Sequence, residues 1–324
     1  MFRVLVTDHP APTTDIEAEV LRGVGGELVL AERGDEEELL SLVEGADAIL
    51  TCFRHVTPAV VRAGVQLQTI ARYGVGVDNI AVDVATEQGI PVSNVPVYCV
   101  DEVAEHAIAL LLALARKTAA YDASVRRGEW DIAIGMPIHR LAGSVLGIVG
   151  FGYIGRAVAH RAQGLGMHVL VAGPTESPAA IRDAGVELRT LEALLAEVDA
   201  VTLHVPLTSE TRHLMNADRL ALMNSGAVLI NCSRGAVVDH DALADALESG
   251  RLRGAGLDVF EPERLPVDHR LMTMANTVLT PHVAFYSEES IAELQRSAAA
   301  NVAAVLQGRQ PGNIVNPGVR HGAR

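Results

Sequence analysis

The stretch VLGIVGFGYIG, residues 145–155, decides the fold of this 324-residue chain. Its apolar first part, Val145–Val149, is typical of a buried strand, and a helical pattern follows the stretch directly. Between strand and helix lie Gly150, Gly152 and Gly155 in the spacing GxGxxG, which permits a tight turn and lets a phosphate group approach the first amides of the helix. A strand, this glycine loop and a helix together predict a dinucleotide-binding domain.

Strand and helix patterns alternate on both sides of this loop. The first series runs from the strand Phe2–Thr7 to the strand Pro91–Ser93, and the second runs from Val145–Val149 to Thr277–Leu279. Alternation of this kind predicts parallel sheets covered by helices, and the length is enough for two domains. We therefore expect an α/β protein with two doubly wound, Rossmann-like parallel-sheet domains.

The composition narrows the range of partners. Lys and Arg number 26 against 40 Asp and Glu, so the net charge of −14 disfavours nucleic acid and anionic membranes. The three cysteines, Cys52, Cys99 and Cys232, are widely spaced and predict neither a metal site nor a disulfide framework. With no secretory leader in the first residues, we expect a cytoplasmic protein without a metal.

The second strand of the dinucleotide-binding domain lacks its usual acid. An Asp or Glu at the end of the strand His168–Val171 would hold the ribose diol of NAD, but Gly173 stands there. Glu176 follows three residues later, and the first cation that could meet the 2′-phosphate of NADP is Arg182. The choice between NAD and NADP stays open, and NAD is favoured because no cation is adjacent.

Three polar segments follow predicted strands of the second series. Residues 231–235 contain Arg234, residues 258–263 contain several carboxylates, and residues 280–282 end in His282. Parallel strands place their carboxyl ends at one edge of the sheet, where ligands bind. An arginine, a carboxylate and a histidine are the groups needed to reduce a 2-oxo acid, because the reaction needs a cation for the anion and a proton donor.

These segments and the glycine loop resemble the D-isomer-specific 2-hydroxyacid dehydrogenases over essentially the whole chain. Residues 72–79, RYGVGVDN, are similar to the substrate loop of that family, and residues 94–96 and 103–106 are similar to its interdomain crossing. Residues 98–103 and 281–288 most resemble the C-terminal-binding-protein branch, which lies near the phosphoglycerate dehydrogenases.

The resemblance implies a role for each matching position. His282 would be the general acid in reduction and the base in oxidation, Glu263 would hydrogen-bond it and keep it protonated, and Arg234 would bind the substrate carboxylate and carbonyl. The implied cofactor contacts are Gly150, Gly152, Tyr153, Ile154, Gly155, Gly173, Val205, Cys232, Ser233 and Asp258. The implied substrate contacts are Arg72, Val75, Gly76 and Arg54.

The resemblance also implies a discontinuous domain arrangement. Residues 1–97 and 286–324 would form the substrate-binding, catalytic domain, residues 98–285 would form the dinucleotide-binding domain, and the active site would lie in the cleft between them. The long helix from Asp101 to Lys117 would serve a homodimer interface, although its apolar pattern also fits an ordinary core helix.

The expected function is NAD(P)-dependent hydride transfer between the nicotinamide and a small 2-oxo or 2-hydroxy acid of D configuration. Two alternatives stay open: oxidation of a one-centre anion such as phosphite, and an NAD(H)-sensing binding module. Among single residues, Glu261 competes with Glu263 for the histidine, His106 is expected to be structural, and Trp130 is expected to pack inside the protein.

Overall fold

A computed structural model describes residues 1–173 and 178–319 of the chain. The chain divides into two compact units. The first comprises Met1–Tyr98 and Tyr286–Arg324, and the second comprises Cys99–Phe285. The first break follows Tyr98, one residue beyond the sequence-based boundary.

The first unit contains a five-stranded parallel sheet with the order β2-β1-β3-β4-β5. Its strands are β1 (Phe2–Val6), β2 (Gly26–Leu30), β3 (Ala48–Thr51), β4 (Thr69–Arg72) and β5 (Val92–Ser93). All residues of β3 and β4 are buried, because helices cover both faces of a parallel sheet.

The second unit contains a seven-stranded parallel sheet with the order β12-β11-β10-β9-β6-β7-β8. Its strands are β6 (Val145–Val149), β7 (His168–Ala172), β8 (Glu187–Leu188), β9 (Ala200–Leu203), β10 (Ala227–Asn231), β11 (Leu252–Leu257) and β12 (Thr277–Leu279). The two parallel sheets confirm the predicted α/β fold class.

The helices are numbered along the whole chain. Those of the first unit are α1 (Asp15–Arg22), α2 (Glu36–Val43), α3 (Pro58–Ala63), α4 (Val82–Glu87) and, after the second unit, α13 (Glu288–Leu306). Those of the second unit are α5 (Val100–Arg116), α6 (Thr118–Arg126), α7 (Tyr153–Gly164), α8 (Pro178–Asp183), α9 (Leu191–Glu197), α10 (Ala217–Leu222), α11 (His240–Glu248) and α12 (Arg270–Thr273). Within the described residues, no helix has the length and hydropathy of a membrane span.

Helix α5 is a core helix of the second unit. Its buried residues join one apolar cluster with α7 and the sheet, and Leu110 and Leu114 lie against glycines of β11. Trp130, by contrast, is 89% exposed, so the expectation that it packs inside the protein is wrong. Trp130 follows α6 in a segment whose other residues are also largely exposed.

Candidate active site

Three loops of the second unit lie side by side because they leave adjacent parallel strands. They follow β10, β11 and β12, which are neighbours in the sheet, and they carry Arg234, Asp258 and His282. The carboxyl ends of these strands therefore bring together the arginine, the carboxylates and the histidine that lie far apart in the sequence.

Asn231, the last residue of β10, builds the turn that presents Arg234. Its side-chain amide donates to the carbonyl of Arg234 at 2.9 Å, and its Oδ1 accepts from the amide of Ser233 at 3.0 Å and from the Ser233 hydroxyl at 2.8 Å. Asn231 is fully buried, so these bonds are sheltered from water. The guanidinium of Arg234 donates to the Ser233 carbonyl at 2.8 Å.

Asp258 is fully buried and holds the loop that carries His282. Its carboxylate accepts from the hydroxyl of Thr280 at 2.6 Å and from the amides of Val283 and Ala284, both at 2.9 Å. Its carbonyl accepts from the amide of His282 at 2.7 Å. These bonds keep His282 at φ 56°, a left-handed conformation that non-glycine residues adopt infrequently.

The imidazole of His282 is paired with Glu263, not with Glu261. His282 Nδ1 contacts Glu263 Oε1 in a short hydrogen bond. The carboxylate of Glu261 is instead held by both terminal nitrogens of Arg212, at 2.9 and 2.8 Å. Because the Glu263 contact occupies Nδ1, a proton exchanged with a substrate would be carried on Nε2.

The glycine loop fits the pyrophosphate of a dinucleotide. Gly150 has φ 95°, and a Cβ there would lie 2.4 Å from the carbonyl oxygen of His204. A Cβ on Gly155 would lie 2.2 Å from the carbonyl oxygen of Gly150, so both positions require glycine. Gly152 faces open space and, as the N-cap of α7, supplies no side chain to its first amides. The amides of Tyr153 and Ile154 can therefore meet an anion.

The end of β7 explains why the usual acid is missing. Gly173 is exposed with φ 144°, and a Cβ there would approach the amide nitrogen of Gly150 to 3.3 Å. An acidic side chain at this position would therefore strain the backbone beside the glycine loop. Glu176, the alternative carboxylate, lies outside the described residues, and Arg182 is exposed on α8.

Three further predicted cofactor contacts differ in how far they are buried. Val205 is buried and Cys232 is partly buried, whereas Tyr153 is 67% exposed. Burial, together with the nearby charge of Asp258, raises the pKa of the Cys232 thiol well above its ordinary value. Cys232 is therefore a neutral thiol and not a nucleophile.

The first unit holds the predicted substrate loop in an ordered turn. The carbonyl of Val75 accepts from the side chain of Asn94 at 2.5 Å, and the carbonyl of Gly74 accepts from the amide of Val95 at 2.9 Å. Within residues 1–173 and 178–319, the amides of Val75 and Gly76 make no hydrogen bond. These two amides are suited to an anion.

The two predicted arginines of the first unit differ in exposure. Arg72 is 9% exposed, and its Nη1 donates to the carbonyl of Tyr73. Arg54 is exposed, in a turn that Asp8 builds by accepting from the amides of Cys52 at 2.9 Å and Phe53 at 2.7 Å. Arg54 is therefore the more accessible of the two cations.

Three supporting residues escaped the sequence interpretation. Asn231, Asn94 and Asp8 each stand at or just beyond a strand end, yet the sequence interpretation gave none of their side chains a role. Their position was the available signal, because a polar residue directly after a buried strand lies where the ligand-binding loops begin. What they do, building turns through side-chain bonds to the backbone, depends on the fold around them.

Comparison with known proteins identifies the family to which the chain is similar. Residues 108–284 match the family model described as "D-isomer specific 2-hydroxyacid dehydrogenase, NAD binding domain". The chain is 43% identical over 288 residues to a glyoxylate reductase of Thermococcus litoralis, covering 87% of both chains. It is 39% identical over 318 residues to a D-3-phosphoglycerate dehydrogenase of Methanocaldococcus jannaschii, covering 98% of this chain and 60% of the relative.

A solved structure with the same fold contains a bound cofactor and a bound hydroxy acid. The D-lactate dehydrogenase of Aquifex aeolicus, complexed with NAD and lactic acid, is 29% identical and superposes with a TM-score of 0.86. The alignment covers 97% of this chain and 99% of that one. The similarity therefore extends through both units.

Proposed function

This chain belongs to the D-isomer specific 2-hydroxyacid dehydrogenases, and we propose that Arg234, Glu263 and His282 carry out its chemistry. It is an oxidoreductase that transfers a hydride between a nicotinamide cofactor and a 2-oxo or 2-hydroxy acid. The relatives do not favour phosphite oxidation or a purely sensing module.

The contact between Glu263 and His282 carries the proposal. In reduction the bound cofactor supplies a hydride to the carbonyl carbon, and the carbonyl oxygen must gain a proton. His282 gives that proton from Nε2, and in oxidation it takes the proton back. Glu263, at Nδ1, orients the ring and stabilises the imidazolium. Arg234 binds the carboxylate and polarises the carbonyl.

The first unit contains a second set of anion donors. The amides of Val75 and Gly76 bind the substrate carboxylate, and Asn94 holds their loop in the required turn. Arg72 and Arg54 add positive charge, Arg72 from a buried position beneath the loop and Arg54 from the exposed turn at Asp8. This second set supports binding without taking part in proton transfer.

The substrate is glyoxylate or a similarly small 2-oxo acid. The support is that several relatives above 40% identity are named glyoxylate reductase. The test follows NADH absorbance with glyoxylate, hydroxypyruvate, pyruvate and 3-phosphohydroxypyruvate in parallel. A clear kcat/KM preference for glyoxylate is expected. A preference for the phosphorylated acid would refute this assignment, and NADH binding without turnover on any acid would refute the catalytic roles.

The cofactor is NAD, with modest discrimination against NADP. Gly173 supplies no carboxylate to repel a 2′-phosphate, and Arg182 is the first basic residue after β7. We expect kcat/KM for NADH to exceed that for NADPH by less than about a hundredfold, or about 2.7 kcal/mol. A larger ratio for either cofactor would mean that another group reads the ribose.

The protein is a homodimer in the cytoplasm. Support comes from an exposed apolar segment that follows α6, in which Trp130, Ile132 and Met136 are 89%, 76% and 65% exposed. The three free cysteines fit a reducing compartment. Light scattering after size exclusion should give a dimer mass for the parent and a monomer mass for Trp130→Ser. A monomeric parent would refute the dimer.

A further inference from the structure

His106 of α5 is connected to the loop that carries His282. Its Nε2 lies 2.9 Å from the hydroxyl oxygen of Thr280 and 3.6 Å from Oδ1 of Asp258. The Thr280 hydroxyl lies 2.6 Å from the same Oδ1. The sequence separates His106 from Thr280 by 174 residues, so the fold alone creates this connection.

The direction of these hydrogen bonds follows from the chemistry of their members. An ionised Asp258 can only accept, so the Thr280 hydroxyl must donate its single proton to Oδ1. Thr280 Oγ1 then has only lone pairs to offer His106, and His106 must donate from Nε2. The three side chains form one chain of hydrogen bonds, in which His106 donates to Thr280 and Thr280 donates to Asp258, and this chain fixes the His106 tautomer.

The buried charge of Asp258 makes this chain of hydrogen bonds important for the structure of the loop that carries His282. A carboxylate with no exposed surface is stable only where hydrogen-bond donors surround it. Asp258 accepts hydrogen bonds from the hydroxyl of Thr280 and from the amides of Val283 and Ala284. A hydroxyl that itself accepts a hydrogen bond is a stronger donor. The same carboxylate holds the segment on both sides of His282 at φ 56°.

We propose that His106 is a positioning residue for the reaction: it orders Thr280 and Asp258 and thereby fixes the placement of His282. This inference rests on the proposed role of His282 as the proton donor. His106 itself does not touch the substrate. From the sequence alone His106 is expected to be structural, whereas its connection to the loop that carries His282 gives its replacement a kinetic consequence.

The test compares two substitutions at His106 in the full-length protein with NADH and the best 2-oxo acid. His106→Leu removes the donor and should lower kcat about tenfold, the size of one hydrogen bond, with an unchanged KM for the acid because Arg234 is untouched. His106→Gln keeps an N–H donor and should stay within about threefold of the parent. Equal losses for both variants would overturn the inference.

A double-mutant cycle distinguishes an effect transmitted from His106 through Thr280 from a general loss of packing. Thr280→Val removes the middle of the chain and should lower kcat as His106→Leu does, whereas Thr280→Ser keeps the hydroxyl and should not. In the His106→Leu/Thr280→Val double variant the loss should not exceed that of Thr280→Val alone. Multiplying losses would show that the two residues act independently and would overturn the inference.

Two reference variants complete the experiment. His160→Leu, at an exposed histidine of α7, is the control for a His-to-Leu change in a helix and should leave kcat unchanged. In a His282→Ala background, His106→Leu should have no further effect, because the group it positions is gone. If His282→Ala alone keeps full turnover, the proposed function fails; if it is inactive and His106→Leu is fully active, only the positioning role fails.

Discussion

Replacing Glu263 by Gln should slow catalysis, whereas the same replacement at Glu261 should not. The two carboxylates stand two residues apart in one loop, and each has a different partner. Glu263 contacts Nδ1 of His282, and Glu261 is held by Arg212. The pair of variants therefore changes the same chemistry in the same segment, and only one of them changes the charge beside the proposed proton donor.

The exposure of the pair sets the expected size of the effect. Side-chain exposure is 21% for His282 and 58% for Glu263, so solvent screens their attraction in part. Two unit charges about 4 Å apart attract by about 1 kcal/mol in water and about 4 kcal/mol in a protein-like dielectric. For a half-exposed pair we expect an attraction near the low end of this range, about 1–2 kcal/mol. Losing that much stabilisation corresponds to about a five- to thirtyfold loss of kcat.

The assay is steady-state NADH oxidation with a saturating 2-oxo acid. Glu263→Gln should lose kcat by that factor and keep its KM for the acid, since a glutamine can still accept from Nδ1 but carries no charge. Glu261→Gln should change kcat by less than about threefold, because an exposed ion pair contributes little. Equal effects of the two variants, or an unaffected Glu263→Gln, would refute the assignment of Glu263.

Three further predictions follow from the same loops. His282→Ala should lower kcat by about 10²–10⁴ while NADH still binds in a fluorescence titration. Asn231→Ala should lower the melting temperature and raise KM for the acid, because the Arg234 turn loses three buried hydrogen bonds. Burial lowers the pKa of His204 to about 4. The unfolded state then binds the proton first, so the free energy of unfolding should fall by up to about 3 kcal/mol as pH drops from about 6.5 to about 4. His204→Gln should flatten this dependence in denaturant titrations at several pH values.

Local patterns were sufficient for most strands and helices but not for all of them. The strand Val145–Val149 has the bounds that its apolar run predicts, whereas the sequence indicates a strand only from Gly254 onward where β11 begins at Leu252. Gly254 and Gly256 interrupt the apolar pattern there because Leu114 and Leu110 of α5 occupy the space of a side chain. The glycines are therefore explained by packing of β11 against α5, which the local sequence pattern does not show.

The short elements were missed for a related reason. Strand β8 comprises only Glu187 and Leu188, both exposed, and α6 is a largely exposed helix with a single buried residue, Ser124. Neither element presents an apolar face of its own, so no periodicity marks it. β8 forms because β7 offers it an edge, and that edge exists only in the folded sheet.

The residue types of the candidate site were readable from the sequence, but the pairs they form were not. Arg234, Glu263 and His282 each stand in a segment directly after a strand, which is a local property. Which of Glu263 and Glu261 pairs with His282 is not a local property, because it depends on Arg212, which lies 49 residues away in the sequence and binds the carboxylate of Glu261. The family resemblance implied Glu263, and the ion pair between Arg212 and Glu261 supplies the physical reason.

Asp258 shows how one buried charge can serve both the fold and the site. The parallel sheet places Asp258 directly after β11, the neighbour of the edge strand β12, where burial would be costly for an isolated carboxylate. The chain removes that cost by turning the loop after β12 toward it, so that Thr280, Val283 and Ala284 all donate. Within that turn His282 adopts a left-handed backbone. The conformation that holds His282 beside Glu263 is therefore stabilised by the need to satisfy Asp258, which ties placement of the proposed proton donor to the stability of the sheet edge.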